Sequence, residues 1–486
     1  MVTAATPTSR SYSNADWQQG YASLLQEHSY WIDEVEGQIP AELEGCLFRN
    51  GPGRLGVKDH LYGHPFDGDG MIARIQFQAG RAHFANAFVK TPEFLAEQAA
   101  GKILYRGVFG TQKPGGWLAN CFDLQFKNPA NTHVIYHAQK LWALWEASLP
   151  YQLDPVTLET RQQETFAGVL GNKDPFTAHP KLDPHTGDLF AFGVRAGLDS
   201  TLLFYRINPQ GQLVEKSEHR IPGFAFLHDF VWTPHYRVFF QNPVSFNPLP
   251  FILGWQSAGT CLKLDPKAAT RILIFNWQGE MITLETEPGF VFHYVNGFEQ
   301  ADQQLVMDVI FYEEYPSLKP NEDYRQINFD YVPAGKLYRF ELDLLTKTVN
   351  RYPLSERSVE FPTIHPRTVG GSHRYIYIGA THAIGKNAPL QAILKVDVKT
   401  GQQELHSFAP RGFVGEPVYV PRPGSTAEDD GWVIVLVFNA ATQRSMVAIL
   451  DAQSFSKKPL ALLHLKHHVP YGLHGMFTPE VFDLGI

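Results

Sequence analysis

The chain has 486 residues, enough to bury a large core, and is rich in aromatics (13%), Gly (40) and Pro (34). Lys and Arg number 41 against 49 Asp and Glu, a formal net charge of −8 that argues against a polyanion, so no nucleic acid is expected as partner. Cys46, Cys121 and Cys261 form no CxxC pair, so neither a disulfide framework nor a thiolate metal site is indicated and a reducing, cytoplasmic setting is the simpler expectation.

The opening stretch, MVTAATPTSRSYSNADWQQG, has no apolar core of signal-peptide length. The first clear helix signal is TPEFLAEQAAGK (91–102), with Thr91 as N-cap, Pro92 at the first position and Gly101 near the end. A phrase then recurs in which an apolar strand ends in an acidic or amide residue and a turn leads into the next strand. It occurs at Asp154, Asp183, Asn208, Asp265, Asp343, Asp397 and Asp451. The last three keep strict time, 397 − 343 and 451 − 397 both being 54. RYIYIGA (374–380), QAILKVDV (391–398), WVIVLVFN (432–439) and SMVAILDA (445–452) are the short strands this rhythm predicts. The longest apolar run, 432–438, is far too short to span a bilayer. A repeat of this size suits an all-β propeller of six to eight blades, with an array of β-sandwiches as the alternative. No linker or charge run divides the chain, so a single domain over 1–486 is expected, with an N-terminal extension (about 1–40) and insertions forming a cap.

Four histidines stand far apart: His179 in FTAHPKLD, His228 in FAFLHDFVW, His293 in FVFHYVNGF and His474 in YGLHGMF. They can meet only in a fold that brings distant strands to one axis. Neutral imidazoles without a carboxylate among them suit a borderline transition metal rather than calcium or magnesium. Spacing alone does not select four of the 20 histidines present. A resemblance does. With HPFDGDGM (64–71), LWALWEAS (141–148), VEFPTIHP (359–366), GEPVYVPRPGSTAEDDGW (415–432) and YGLHG (471–475), the chain resembles the carotenoid cleavage oxygenases from residue 64 to residue 475.

The resemblance implies a seven-bladed β-propeller with a loop and helix cap over an axial metal site. It implies iron(II) (Fe2+) held by His179, His228, His293 and His474, with Glu146, Glu360 and Glu416 accepting ring N–H groups and so fixing the imidazole tautomers. It also implies that Thr132, in NPANTHV, screens one open coordination position. Phe66, Phe109, Trp145, Phe226, Phe292 and Phe361 are expected as a set to line a slot for an apolar polyene, although each alone reads better as core packing. The implied reaction is O2-dependent cleavage of the central (15,15′) double bond of an apocarotenal or apocarotenol, giving retinal and a second carbonyl product. No catalytic residue beyond the metal centre is expected, and GxSxG and HExxH are missing. Cleavage of a stilbene or of another double bond, and retinoid isomerisation, are the alternatives within the superfamily; a non-catalytic metal- or carotenoid-binding propeller is the rival outside it. Two charge-poor segments, 115–122 and 246–255, are expected to form an apolar patch for peripheral contact with a membrane surface.

Overall fold

The structure, a computed structural model, describes residues 11–316, 323–385 and 387–485. The first ten residues of the expected N-terminal extension lie outside the described residues.

Seven antiparallel sheets radiate from one axis as the blades of a propeller. Blade I is built on Gly45–Arg49, Asp69–Gln78 and Arg81–Phe88; blades II to VII follow at 133–163, 181–221, 231–286, 290–353, 359–407 and 412–464. Burial follows position in the blade. The outer strand Leu213–Ile221 alternates half-buried and exposed residues, whereas Gly431–Asn439, covered on both faces, is almost wholly buried. Apolar clusters fill the gaps between neighbouring blades: Phe190, Phe204, Phe239 and Leu273 join III to IV, and Tyr377, Ile393, Val433 and Ala448 join VI to VII.

The recurring acidic or amide residue has a single local cause. Asp154 and Asn208 directly follow, and Asp343, Asp397 and Asp451 end, the third strand of a blade, and the Oδ1 of each accepts backbone N–H groups two or more residues on, which turns the chain into the outer strand. Asp183 and Asp265 make the same turn elsewhere: Asp183 after the inner strand of blade III, Asp265 ahead of the third strand of blade IV. That is why only part of the series keeps time.

Both ends of the described chain lock the ring. Glu34–Gly37 pairs with Ala461–His464 at the outer edge of blade VII, and Gly475–Thr478 forms the innermost strand of blade I against Gly45–Arg49. Ser29–Trp31 adds an edge to blade I, so the stretch expected as an extension is partly built into the propeller. The cap includes the helices Pro92–Ala100, Gly116–Asn120 and Pro248–Ile252. The first behaves as its sequence predicts, with Thr91 Oγ1 accepting the N–H of Phe94 and Gly101 in the left-handed region. Among the described residues no helix is long and apolar enough to cross a membrane, and the three cysteines are free.

Candidate metal centre

Every blade sends one residue to the axis. His474 heads the inner strand of blade I, Glu146 follows the second strand of blade II, and His179 and His228 lie just ahead of the inner strands of III and IV. His293 and Glu360 lie on the inner strands of V and VI, and Glu416 sits between Gly412–Val414 and Val418–Pro421 of VII. In a regular strand neighbouring side chains point to opposite faces. The inner strands of V and VI break that rule with register shifts between Val291 and Tyr294 and between Glu360 and Pro362, so that Phe292 with His293, and Glu360 with Phe361, all line one cavity. Phe361 has φ 60°, a strained value for a residue with a side chain.

The four histidines present ring nitrogens that all lie within 4.8 Å of one another. His179 Nε2 and His228 Nε2 are 2.9 Å apart. Three of the rings are held from behind by carboxylates through Nδ1: His228 by Glu146 at 3.2 Å, His293 by Glu360 at 2.6 Å and His474 by Glu416 at 2.8 Å. Among the described residues His179 has no such carboxylate, and its backbone N–H donates to Thr177 Oγ1 at 2.9 Å. With Nδ1 engaged, each of the three supported rings turns a Nε2 lone pair inward. The Nε2 of His293 is buried and has no hydrogen-bond partner. A buried, unpartnered lone pair among converging imidazoles fits a borderline transition cation, and these four residues are the ones that could hold it.

For two of the four rings the electrostatics agree with that role. Burial, reinforced by the neighbouring histidines, holds His179 and His474 well below the ordinary imidazole range, so both stay neutral and able to donate a lone pair. Burial acts the same way on His293, but the Glu360 carboxylate outweighs it and raises that ring. Burial likewise opposes ionisation of Glu360, and His293, with the N–H of Phe361 and the Tyr312 hydroxyl, outweighs it and keeps the carboxyl below its usual range.

A cavity of about 280 Å³ opens beside the cluster. Phe66, Phe109, Thr132, Trp145, Phe292 and Phe361 line it, together with His228, His293 and His474. Phe226 does not. Its half-buried ring packs beside Phe290 at 5.9 Å and Tyr315 at 6.4 Å, against the apolar cluster between blades V and VI. Two sequence motifs prove to be one unit here: the carboxylate of Asp67, in HPFDGDG, accepts the N–H groups of Phe109, Gly110 and Thr111 and so fixes the loop that brings Phe109 to the cavity. Sequence reasoning missed Tyr312, whose hydroxyl donates to Glu360 at 2.7 Å, the wall residues Tyr21 and Tyr324, and His133, which bonds the Ala178 carbonyl at 2.7 Å beside the cluster. His133 directly follows Thr132, and that adjacency was the one available signal.

The segments 115–122 and 246–255 lie against each other, Phe122 N–H donating to the Ile252 carbonyl at 2.8 Å. The buried Arg106 guanidinium ties them together by donating to the carbonyls of Asn120, Asp123, Phe251 and Gln256. Trp117, Leu118, Phe122, Leu249 and Trp255 stay between 53% and 75% exposed. They belong to one apolar surface.

A family described as retinal pigment epithelial membrane protein matches residues 21–479. The apocarotenoid-15,15'-oxygenase of Synechocystis is 46% identical over 489 residues, covering 98% of this chain and 100% of that one. The isoeugenol monooxygenase of Pseudomonas nitroreducens is 30% identical, covering 92% and 94%. A crystal structure of cobalt-substituted Synechocystis ACO superposes with a TM-score of 0.94 at 45% identity, over 96% of this chain and 99% of that one.

Proposed function

This chain belongs to the retinal pigment epithelial membrane protein family, the carotenoid oxygenases, and on that premise we propose that it is an iron(II)-dependent oxygenase that splits the central 15,15′ double bond of an apocarotenoid with O2, giving retinal and a second carbonyl product. One observation carries the reading: four imidazole nitrogens converge at the wall of an aromatic-lined cavity. His179, His228, His293 and His474 hold the metal, and Glu146, Glu360 and Glu416 keep three of the rings in the tautomer that can donate to it. Iron(II), when bound, supplies the centre at which dioxygen is activated.

The remaining work falls to the walls. Phe66, Phe109, Trp145, Phe292 and Phe361 form a stiff apolar slot that holds a flat conjugated chain and excludes water. The Thr132 hydroxyl donates to Asn131 Oδ1 at 3.2 Å, which leaves the threonine methyl to narrow the approach to the metal. The test is the variant His228→Ala: iron content and cleavage of an apocarotenal are expected to be lost together, and a variant that keeps either one contradicts the ligand assignment.

The exposed apolar surface of 115–122 and 246–255 supports membrane contact as the route by which a lipid-soluble substrate arrives. In liposome flotation the protein is expected to float, and Trp117→Glu with Phe122→Glu to leave it in the soluble fraction. Equal partitioning of the two proteins contradicts this route.

A further inference from the structure

The three glutamates that brace the histidines are not equivalent. Among the described residues Glu146 pairs only with His228, at 3.2 Å. Glu360 accepts from His293, from the Tyr312 hydroxyl at 2.7 Å and from the Phe361 N–H at 2.6 Å, with no guanidinium or ammonium beside it. Glu416 alone has a permanent cation. Besides His474 at 2.8 Å and the Gly475 N–H at 2.9 Å, its Oε2 accepts from Nη1 of Arg49. Arg49 Nη2 donates at 2.7 Å to the carbonyl of Leu473, the residue before His474. Arg49 is 4% exposed and ends its strand directly opposite Gly475.

The guanidinium fork therefore spans a carboxylate and the backbone on either side of one imidazole, which a lysine could not do with the same geometry. Its charge matters as much as its shape. Buried charges are tolerated only when they are compensated. A bound dication and Arg49 together offset the three carboxylates. We propose that Arg49 is a positioning residue of the metal centre and that its charge belongs to the charge balance of the site. The proposal rests on the reading of the four histidines as metal ligands.

A counter-intuitive rescue follows. Glu416→Gln leaves the Arg49 cation facing a bound dication without its counter-charge, and removing Arg49 as well restores the balance. Cobalt(II) is the probe, titrated into the metal-free protein and followed by its visible absorption. Glu416→Gln is expected to weaken cobalt binding about 100-fold, the upper range for a residue that supports a ligand. Adding Arg49→Met is expected to recover about tenfold of that loss, a small part of the uncompensated charge's effect. Adding Arg49→Lys, which keeps the charge, is expected to recover none. Glu360→Gln, with no cation beside it, is expected to gain nothing from Arg49→Met.

A double variant that binds cobalt no better than Glu416→Gln, that is not recovered folded, or that regains only its melting temperature overturns the proposal. So does an equal rescue of Glu360→Gln. If the unaltered protein binds no cobalt, the ligand reading fails instead.

Discussion

At the scale of single residues, the centre is a set of imidazoles whose donor strength is graded by what stands behind each ring. Glu360 approaches His293 at 2.6 Å and is itself held by Tyr312 and Phe361, whereas Glu146 stands 3.2 Å from His228 with its side chain 20% exposed beside the cavity. The shorter contact, whose carboxylate is itself held from two further sides, constrains its ring more. Glu360→Gln is therefore expected to lower metal affinity toward the strong end of the roughly 10–100-fold range for such partners, and Glu146→Gln toward the weak end. Metal titration of the two variants checks this, and the reverse order contradicts it. The four histidines and three glutamates could be named from the sequence only because family motifs surround them. The pairing of glutamate with histidine could not be read, because Glu146 and His228 are contributed by different blades and meet only when the ring closes. Which cavity wall each aromatic joins could not be read either, since lying near one of the four histidines in sequence does not fix the face to which an aromatic points.

At the scale of elements, the cap loops are aimed by buried polar contacts rather than by regular structure. Asp67 receives three backbone N–H groups from the loop that carries Phe109, and a Cβ added at Gly107 would stand 2.2 Å from its carboxyl carbon. Gly107→Ala is thus expected to displace Phe109, weakening substrate binding at least tenfold, a loss of the order expected when one such buried interaction is broken, while leaving metal content unchanged. Substrate titration and metal analysis of one preparation test this together; loss of metal with unchanged substrate binding contradicts it. The 91–102 helix was legible because its Thr91 cap, Pro92 and Gly101 act locally. The register shifts that bring Phe292 with His293 and Glu360 with Phe361 into the same cavity were not, since a bulge leaves no fixed residue signature and is settled by what the neighbouring strand requires.

At the scale of the molecule, the propeller solves a geometric demand: four imidazoles from four blades, three of them braced by carboxylates from the other three blades, can meet only on an axis that all seven share. The 54-residue rhythm revealed the blade because each Asx turn is a local hydrogen-bonding device, and it lost time in blade IV, where residues 244–264 are inserted between the second and third strands. The closed ring also has a cost on acidification. Burial pushes His64, His83, His365 and His467 down to about 4, beneath their unfolded value. Between roughly pH 6.5 and pH 4 the unfolded chain takes up protons that the folded one refuses, so stability falls as pH falls through that window. The metal-free protein is expected to melt at steadily lower temperature from pH 7 to pH 4.5, and a flat profile contradicts the burial of these rings in their neutral form.

Under the proposed function, the four-histidine centre of this oxygenase uses O2 to cut one central double bond of a polyene held in the aromatic cavity. Product analysis by mass spectrometry of the iron-loaded protein with an apocarotenal, in air and under argon, tests it most directly. Retinal and its partner carbonyl formed in air only, and absent with His228→Ala, are the predicted result. Products from a different bond, equal product under argon, or an untouched substrate in air would contradict it.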